Sequence, residues 1–188
     1  MLMLKWDILR GTRNDSVHHH GGGMQEWFNS IKNEEELSLL LKAANAAPVG
    51  MAQYDGVHLT IIQNAELLQK IDAVGAALFG KPDMHPLYGA PALIVISTKA
   101  PAPTRENLAF SNTAIIAHNI VLEAVELGIG ACHIWGAIGA LANNQALISE
   151  LELPEGFVPA CAVALGKTNE EYAIREIPTD RITSKVLV

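Results

Sequence analysis

Cysteine and positive charge are both scarce in this chain, and each scarcity excludes a class of protein. The 188 residues include only two cysteines, Cys132 and Cys161, which lie far apart and inside apolar stretches. This spacing argues against a disulfide framework and predicts buried, reduced thiols in a cytosolic protein. Lysine and arginine total 13 against 20 acidic residues, which gives a net charge of −7. Because phosphate backbones are bound by clustered Lys and Arg, nucleic acid is excluded as a partner.

Long uninterrupted apolar runs are missing as well, although the chain is rich in apolar residues. The longest candidate, 114–125, contains His118, Asn119 and Glu123 and falls short of a membrane span. Residues 1–13 lack the long apolar core and the cleavage site of a signal peptide. Hydrophobic residues nevertheless make up 49 % of the sequence. Without a membrane segment, that share predicts a large buried subunit interface.

The order of the remaining patterns predicts one α+β domain at residues 33–188, with a sheet sandwiched between helices. Residues 1–32 are a separate N-terminal segment, partly flexible or left over from cloning, because residues 18–23 are low in complexity and Met24 is a plausible start. Asn33 is predicted to cap the first helix, with Glu36 completing a capping box. Hydrophobic periodicity predicts strands at 57–62, 92–97, 131–134 and 160–165, and helices at 65–78 and 140–151.

The most informative stretch runs from Ser111 to Gly136. Ser111 and Asn112 are predicted to cap a helix that is apolar on nearly all sides. Glycines at 128 and 130 supply the conformations in which such a helix ends, and a short strand with Trp135 follows. A helix of this composition belongs in a core or in an interface.

Three stretches of the sequence resemble the FMN-dependent nitroreductase family. Residues 111–136 are similar to the family's central helix and following strand, with Asn112 where an acid is usual, His118-Asn119 at a Gln-Asn pair and LGIG at 127–130. Residues 43–62 resemble the block around the family's Ala-Pro-Ser loop, which here reads Ala47 to Val49. Residues 153–166 resemble its Leu-Pro-Glu segment and the next strand. The likeness extends from about residue 43 to the C-terminus.

The resemblance implies an antiparallel-type sheet, an intertwined homodimer, and FMN as cofactor with NAD(P)H as a transient co-substrate. An FMN site needs cations or amide donors for the phosphate, an apolar slot for the ring, and polar contacts at the ring edge. The resemblance assigns the phosphate to Arg10, Thr12, Arg13 and Arg181. It assigns the ring to Pro48, Val49, Gly50, Gln53, Asn112, His133, Ile134, Trp135 and Gly136. No side chain is expected to be catalytic, because the chemistry belongs to the flavin, and no metal is expected.

Each assignment stands beside an ordinary structural interpretation. The arginines fit surface charges equally well, and the Pro48 loop fits a simple helix stop. Asn112 fits a helix cap, and Trp135 and His133 fit core packing. Two familiar phosphate-binding motifs are excluded. Lys167-Thr168 lacks the glycine that a P-loop places six residues earlier, and residues 128–133 follow a helix and lack the third glycine of a dinucleotide fingerprint.

The sequence therefore predicts a cytoplasmic FMN oxidoreductase that passes hydride from NAD(P)H to an electron-poor acceptor, either a nitroaromatic or a quinone. A flavin-binding protein of the same fold without reductase turnover, serving storage, sensing or a specialised oxidation, is the alternative. Val49 in place of a serine and Asn112 in place of an acid keep that alternative open. A third hypothesis, an interaction module without a cofactor, is permitted by the apolar composition alone.

Overall fold

Four strands form one antiparallel sheet in the order β1-β2-β4-β3. The structure is a computed structural model that describes residues 33–99, 105–168 and 178–187. Its strands are β1 (Val57–Ile62), β2 (Ala92–Thr98), β3 (Ile129–Ile134) and β4 (Val158–Lys167). Its helices are α1 (Glu34–Asn45), α2 (Ala65–Leu78), α3 (Glu106–Glu126), α4 (Gly136–Ala142) and α5 (Gln145–Glu150). Two short 3₁₀ turns, Gly50–Ala52 and Tyr54–Gly56, join α1 to β1.

The two central strands, β2 and β4, are buried on both faces. On one face, Ile94 and Val163 pack with Leu40 of α1 and Ile120 of α3. On the other face, residues of α2, α4 and α5 cover Val95 and its neighbours. Strands covered on both sides read as continuous apolar runs, as 92–96 does. The predicted α+β architecture, with the sheet between helices, is confirmed.

Asparagine side chains begin three of the helices. Asn33, Asn64 and Asn144 each accept a hydrogen bond from a backbone N–H of the first helical turn that follows. The predicted cap at Asn33 is therefore confirmed. Glu36 does not complete a capping box, because its carboxylate forms an ion pair with Lys167 at the end of β4. This contact joins the first helix to the last strand of the described domain.

The predicted start of the central helix is wrong. Helix α3 begins at Glu106, five residues before Ser111, so neither Ser111 nor Asn112 caps it. Its first turns form because Ala109 is buried against the sheet and Asn112 is held in the interior, and this packing outweighs the capping preference of Ser and Asn. The end at Leu127-Gly128 agrees with prediction, and Gly128 adopts φ +65°.

The predicted single helix at 140–151 is also wrong. Two shorter helices, α4 and α5, take its place, and they meet at Asn143 and Asn144. The Asn143 side chain donates to the carbonyl of Gly139, and Asn144 accepts from Leu147 N–H at 3.2 Å. Both asparagines thus satisfy backbone groups that a continuous helix would have paired within itself.

Helix α3 is long and apolar enough to cross a membrane by length and composition, with a mean hydropathy of 1.4 over its best window. Its residues Ile116, Ala117 and Ile120 lie against the sheet in the core. A central core helix passes the same test, and the packing of α3 accounts for its composition.

Both cysteines are free thiols. Cys161 is fully buried in β4, and burial raises its pKa to about 11. Cys132 is half-buried in β3, and burial raises its pKa as well. Thiols with raised pKa values stay protonated near neutral pH and are weak nucleophiles. The prediction of buried, reduced thiols is confirmed for Cys161, whereas Cys132 is free but only half-buried.

Candidate functional site

The loop between α1 and β1, residues 46–56, is hydrogen-bonded to the side of α3. The backbone N–H of Gly50 donates to Asn112 Oδ1 at 2.9 Å, and Asn112 is only 5 % exposed. A Cβ atom at Gly50 would lie 2.6 Å from Leu108 Cδ1, so a larger residue here would have to displace the end of the Leu108 side chain. Two residues that sequence analysis assigned to one site, far apart in the chain, are thus in direct contact.

The same loop carries an unusual backbone. Met51 and Ala52 have φ values of 60° and 54°, a left-handed conformation that is uncommon for residues other than glycine. Tyr54 hydroxyl donates to the carbonyl of Ala47 at 3.1 Å and closes the loop. The side chain of Val49 is buried in the core, so this residue presents only its backbone to the surface. Strained loops of this kind concentrate at binding sites, where the surrounding contacts hold them in place.

A cavity of ≈ 320 Å³ opens beside this contact. Gln53 and Asn112 line it together with Thr98 and Lys99 at the end of β2 and Leu108 of α3. The walls therefore include an amide on each side, an apolar patch from Leu108, the cation of Lys99 and the carboxylate of Asp55. More than half of the lining residues are polar or charged, and the volume lies within the range of small-molecule sites.

The junction of β3 and α4 forms a second region. The rings of His133 and His118 stack with centroids 6.0 Å apart and planes inclined by 15°. Burial lowers the pKa of His133, and His118 lowers it further, so His133 is neutral near pH 7. His133 is therefore no source of positive charge for a phosphate.

The next three residues of that junction differ in exposure. Ile134 is buried in the core, whereas Trp135 is 52 % exposed. Gly136 begins α4, and a Cβ there would lie 2.4 Å from Cζ of Phe79. The ring of Phe79 therefore packs directly on the Gly136 backbone. The indole of Trp135 is a surface group rather than the core residue that the ordinary interpretation predicts.

The cationic half of the predicted site is described only in part. Arg10, Thr12 and Arg13 lie outside the described residues. Arg181 lies in the exposed C-terminal stretch 178–187. Pro48 is exposed at the start of the loop. The structure thus brings together Gly50, Gln53 and Asn112, and places Trp135 and Arg181 on the surface.

Of the nine residues that line the cavity, sequence analysis assigned only Gln53 and Asn112 to the site, and the residues that it missed include Lys99 and Leu108. Lys99 directly follows a buried strand, which is a signal in itself, because strand ends are where polar side chains reach a site. Its proximity to Asn112 depends on how the end of β2 packs against the start of α3. Leu108 was missed for a different reason. The predicted start of α3 was wrong, so residue 108 was not expected to be helical.

Comparison with known proteins identifies the class of fold. The nitroreductase family model matches residues 33–167, and the chain belongs to that family. A nitroreductase with bound FMN from Desulfitobacterium hafniense is 26 % identical, with a TM-score of 0.72 over 86 % of this chain and 92 % of its own.

Two more distant structures share the fold. A nitroreductase with bound FMN from Bacteroides fragilis is 23 % identical, with a TM-score of 0.70 over 86 % of this chain and 92 % of its own. A BluB-like flavoprotein from Clostridium difficile is 19 % identical, with a TM-score of 0.66 over 92 % and 98 %. No curated protein sequence matches the chain.

Replacing Asn112 by alanine should lower the free energy of unfolding by about 1–3 kcal/mol, because the half-buried N–H of Gly50 would lose its acceptor. Asn112→Asp keeps an oxygen in the same place and should lose less. Urea unfolding of the three proteins measures both effects. An alanine variant as stable as the parent would show that the contact between the loop and α3 contributes nothing.

Proposed function

We propose that this protein is an FMN-dependent oxidoreductase that passes hydride from NAD(P)H to an electron-poor acceptor of the nitroaromatic or quinone type. Residues 33–188 would form the FMN-binding domain, in a cytoplasmic homodimer. Membership of the nitroreductase family and the FMN bound by the relative from Desulfitobacterium hafniense support this. The observation that carries it is the Gly50–Asn112 contact, which joins the two sequence blocks assigned to the flavin ring.

The described residues fit a flavin ring. Asn112 uses its Oδ1 on Gly50, which leaves the amide Nδ2 as a donor at the cavity. Lys99 adds positive charge to the same cavity, where a reduced ring edge needs it, and Asp55 adds a negative charge that offsets part of it. Trp135 supplies exposed aromatic surface at the β3–α4 junction. Arg181 is the described candidate for the phosphate, together with Arg10, Thr12 and Arg13.

When bound, FMN would supply the redox chemistry, accepting hydride from the nicotinamide and giving it to the acceptor. The role of the chain itself would be to hold the flavin and to shield it from solvent. The buried side chain of Val49 holds the loop in place, so Val49 would contribute only its backbone to the site. Burial lowers the pKa of His133, so this ring would add no charge beside the flavin, and the backbone of 133–136 would line the slot. No side chain is needed as acid or base.

Exposed apolar surface supports the homodimer. Phe110 and Ile115 protrude from α3, and Ile182, Val186 and Leu187 protrude from the C-terminal stretch. Exposed large apolar side chains of this kind are typical of surfaces that a second subunit covers. A homodimer would bury α3 and would let the C-terminal stretch contact the partner.

The visible spectrum of the purified protein tests the proposal. We expect a yellow sample with the absorption bands of oxidised flavin, which NADH or NADPH bleaches anaerobically and a nitroaromatic or quinone then restores. Denaturing the yellow protein and identifying the released flavin checks the cofactor, which should be FMN and not FAD. A colourless protein that stays colourless after incubation with FMN would overturn the proposal and favour a module without cofactor.

The alternative is a flavin-binding protein of the same fold without reductase turnover. Its specific support is Asn112, an amide in place of an acid, which is committed to Gly50 by one of its two polar atoms. A yellow protein that neither nicotinamide bleaches would favour this alternative over the reductase.

A further inference from the structure

A larger cavity lies on the opposite face of the sheet from the Gly50–Asn112 contact. It has a volume of ≈ 650 Å³ and opens between α2 and the segment 82–91. Small-molecule sites in proteins typically span about 300–1,000 Å³. Its floor, which includes Leu68, Leu87 and Ala90, belongs to the core under the α2 layer. The cavity beside the Gly50–Asn112 contact lies on the α3 side, and the two cavities share no lining residues.

The walls of this cavity are fixed in place. A Cβ at Gly75 of α2 would lie 2.7 Å from Pro86 Cγ and 2.9 Å from Ala137 Cβ, so the segment packs directly on the helix backbone. Asp72 Oδ1 accepts the backbone N–H of Leu87 at 2.8 Å. Two independent contacts therefore hold the segment against α2, and the cavity is formed before any ligand arrives.

Most residues that line this cavity are apolar, and its polar side chains are those of Gln63, Gln69 and the pair His85 and Asp72. His85 Nδ1 lies 2.8 Å from Asp72 Oδ2, and both residues line the cavity. A carboxylate only accepts hydrogen bonds, so Nδ1 carries the hydrogen, and in that tautomer Nε2 is the acceptor. Asp72 is occupied on both oxygens, by His85 and by Leu87. The polar group that this pair offers to a ligand is thus the Nε2 acceptor.

We propose that this cavity is a second ligand site, which binds a flat apolar molecule bearing a phenolic hydroxyl. The ring would lie on the apolar floor, and the hydroxyl would donate to His85 Nε2. The site stands independently of the flavin proposal, because none of its residues belongs to the assigned FMN set.

The test is equilibrium dialysis of the full chain against 2-naphthol and against its methyl ether, 2-methoxynaphthalene. We expect saturable binding of one 2-naphthol per chain, unchanged by added FMN. The ether, which has no donor, should bind about 3- to 10-fold more weakly, the range of one hydrogen bond. Replacing His85 by phenylalanine should abolish that difference.

The second part of the test fills the cavity with a larger side chain. Ala73 lines the cavity from an exposed position on α2, and Ala73→Trp should weaken 2-naphthol binding at least tenfold. The matched control is Ala77→Trp, an exposed alanine of the same helix outside the cavity, which should bind like the parent. Ala65→Trp, also in the lining, decides the question if Ala73→Trp misfolds.

Four results would overturn the proposal. They are no binding by the parent, undiminished binding by the tryptophan variants in the lining, displacement of 2-naphthol by FMN, or equal affinity for the two probes. A change in oligomer mass on Ala73→Trp, without probe binding by the parent, would assign the cavity to a second copy of the chain. A colourless protein that still binds 2-naphthol would contradict the flavin proposal but would leave the cavity proposal standing.

Discussion

Arg181→Ala should weaken FMN binding by about 10- to 100-fold, the effect of losing a hydrogen bond to a charged group. A phosphate ester carries close to two negative charges, and a guanidinium meets it with paired donors. The chain has a net charge of −7, so each cation at the site matters more than it would in a basic protein. Arg181 lies in the exposed stretch 178–187, where removing the side chain disturbs no core packing.

Lys185→Ala is the matched control, because it removes one positive charge from the same exposed stretch. It should leave FMN affinity within about twofold of the parent, as expected for an exposed charge without a direct contact. Fluorescence quenching of FMN on titration with apoprotein measures all three affinities. Equal affinities for the arginine variant and the parent would remove Arg181 from the phosphate site without touching the ring assignments.

Leu40→Ala should lower the free energy of unfolding by about 2–5 kcal/mol. Leu40 is fully buried on the inner side of α1, in the cluster that joins α1, α3 and the sheet. Alanine would remove the buried methyl groups and leave a void that neighbouring side chains fill only in part. Urea unfolding followed by circular dichroism gives the change.

Leu78→Ala offers a comparison in which the same atoms are removed from a different environment. Leu78 ends α2 and is 60 % exposed. Its replacement should change the free energy of unfolding by no more than about 0.5 kcal/mol. Similar losses for the two variants would mean that the α1 side of the sheet is not the core described here.

The bounds of the strands and of α2 could be predicted closely, because capping residues or continuous apolar runs mark these elements in the sequence. Residues 57–62 and 65–78 were predicted at the bounds that β1 and α2 have. Asn64 lies between them, and its side chain caps α2. Strands β2 and β4 are apolar on both faces because helices cover both, and such runs stand out in a sequence.

The bounds of α3, α4 and α5 depended on contacts that a local pattern does not contain. Ser111 and Asn112 have good capping side chains, but Asn112 is used in the interior to hold Gly50. Asn143 and Asn144 divide a stretch whose apolar residues read as one helix. In both cases a side-chain hydrogen bond decided between two conformations that propensity alone leaves nearly equal.

The site was predictable in its residue types but not in its geometry. Gly50, Gln53 and Asn112 were singled out because they fall at or near positions of a family pattern, with Asn112 in place of an acid, and the structure places them around one contact. Lys99 was missed because it lies at the end of a strand with no matching motif. Trp135 and Arg181 are on the surface, and their part in a site depends on what a second subunit or a cofactor brings to them.

The ion pair between Glu36 and Lys167 fixes where the chain enters and leaves the domain. Residue 33 opens the described domain just before α1, and β4 ends at Lys167. The ion pair therefore holds the first turn of α1 against the end of β4. The arginines proposed for the phosphate precede the first of these two points in the sequence or follow the second. Breaking the ion pair would loosen the two points from each other, and we expect cofactor retention to fall if arginines from both sides serve one site.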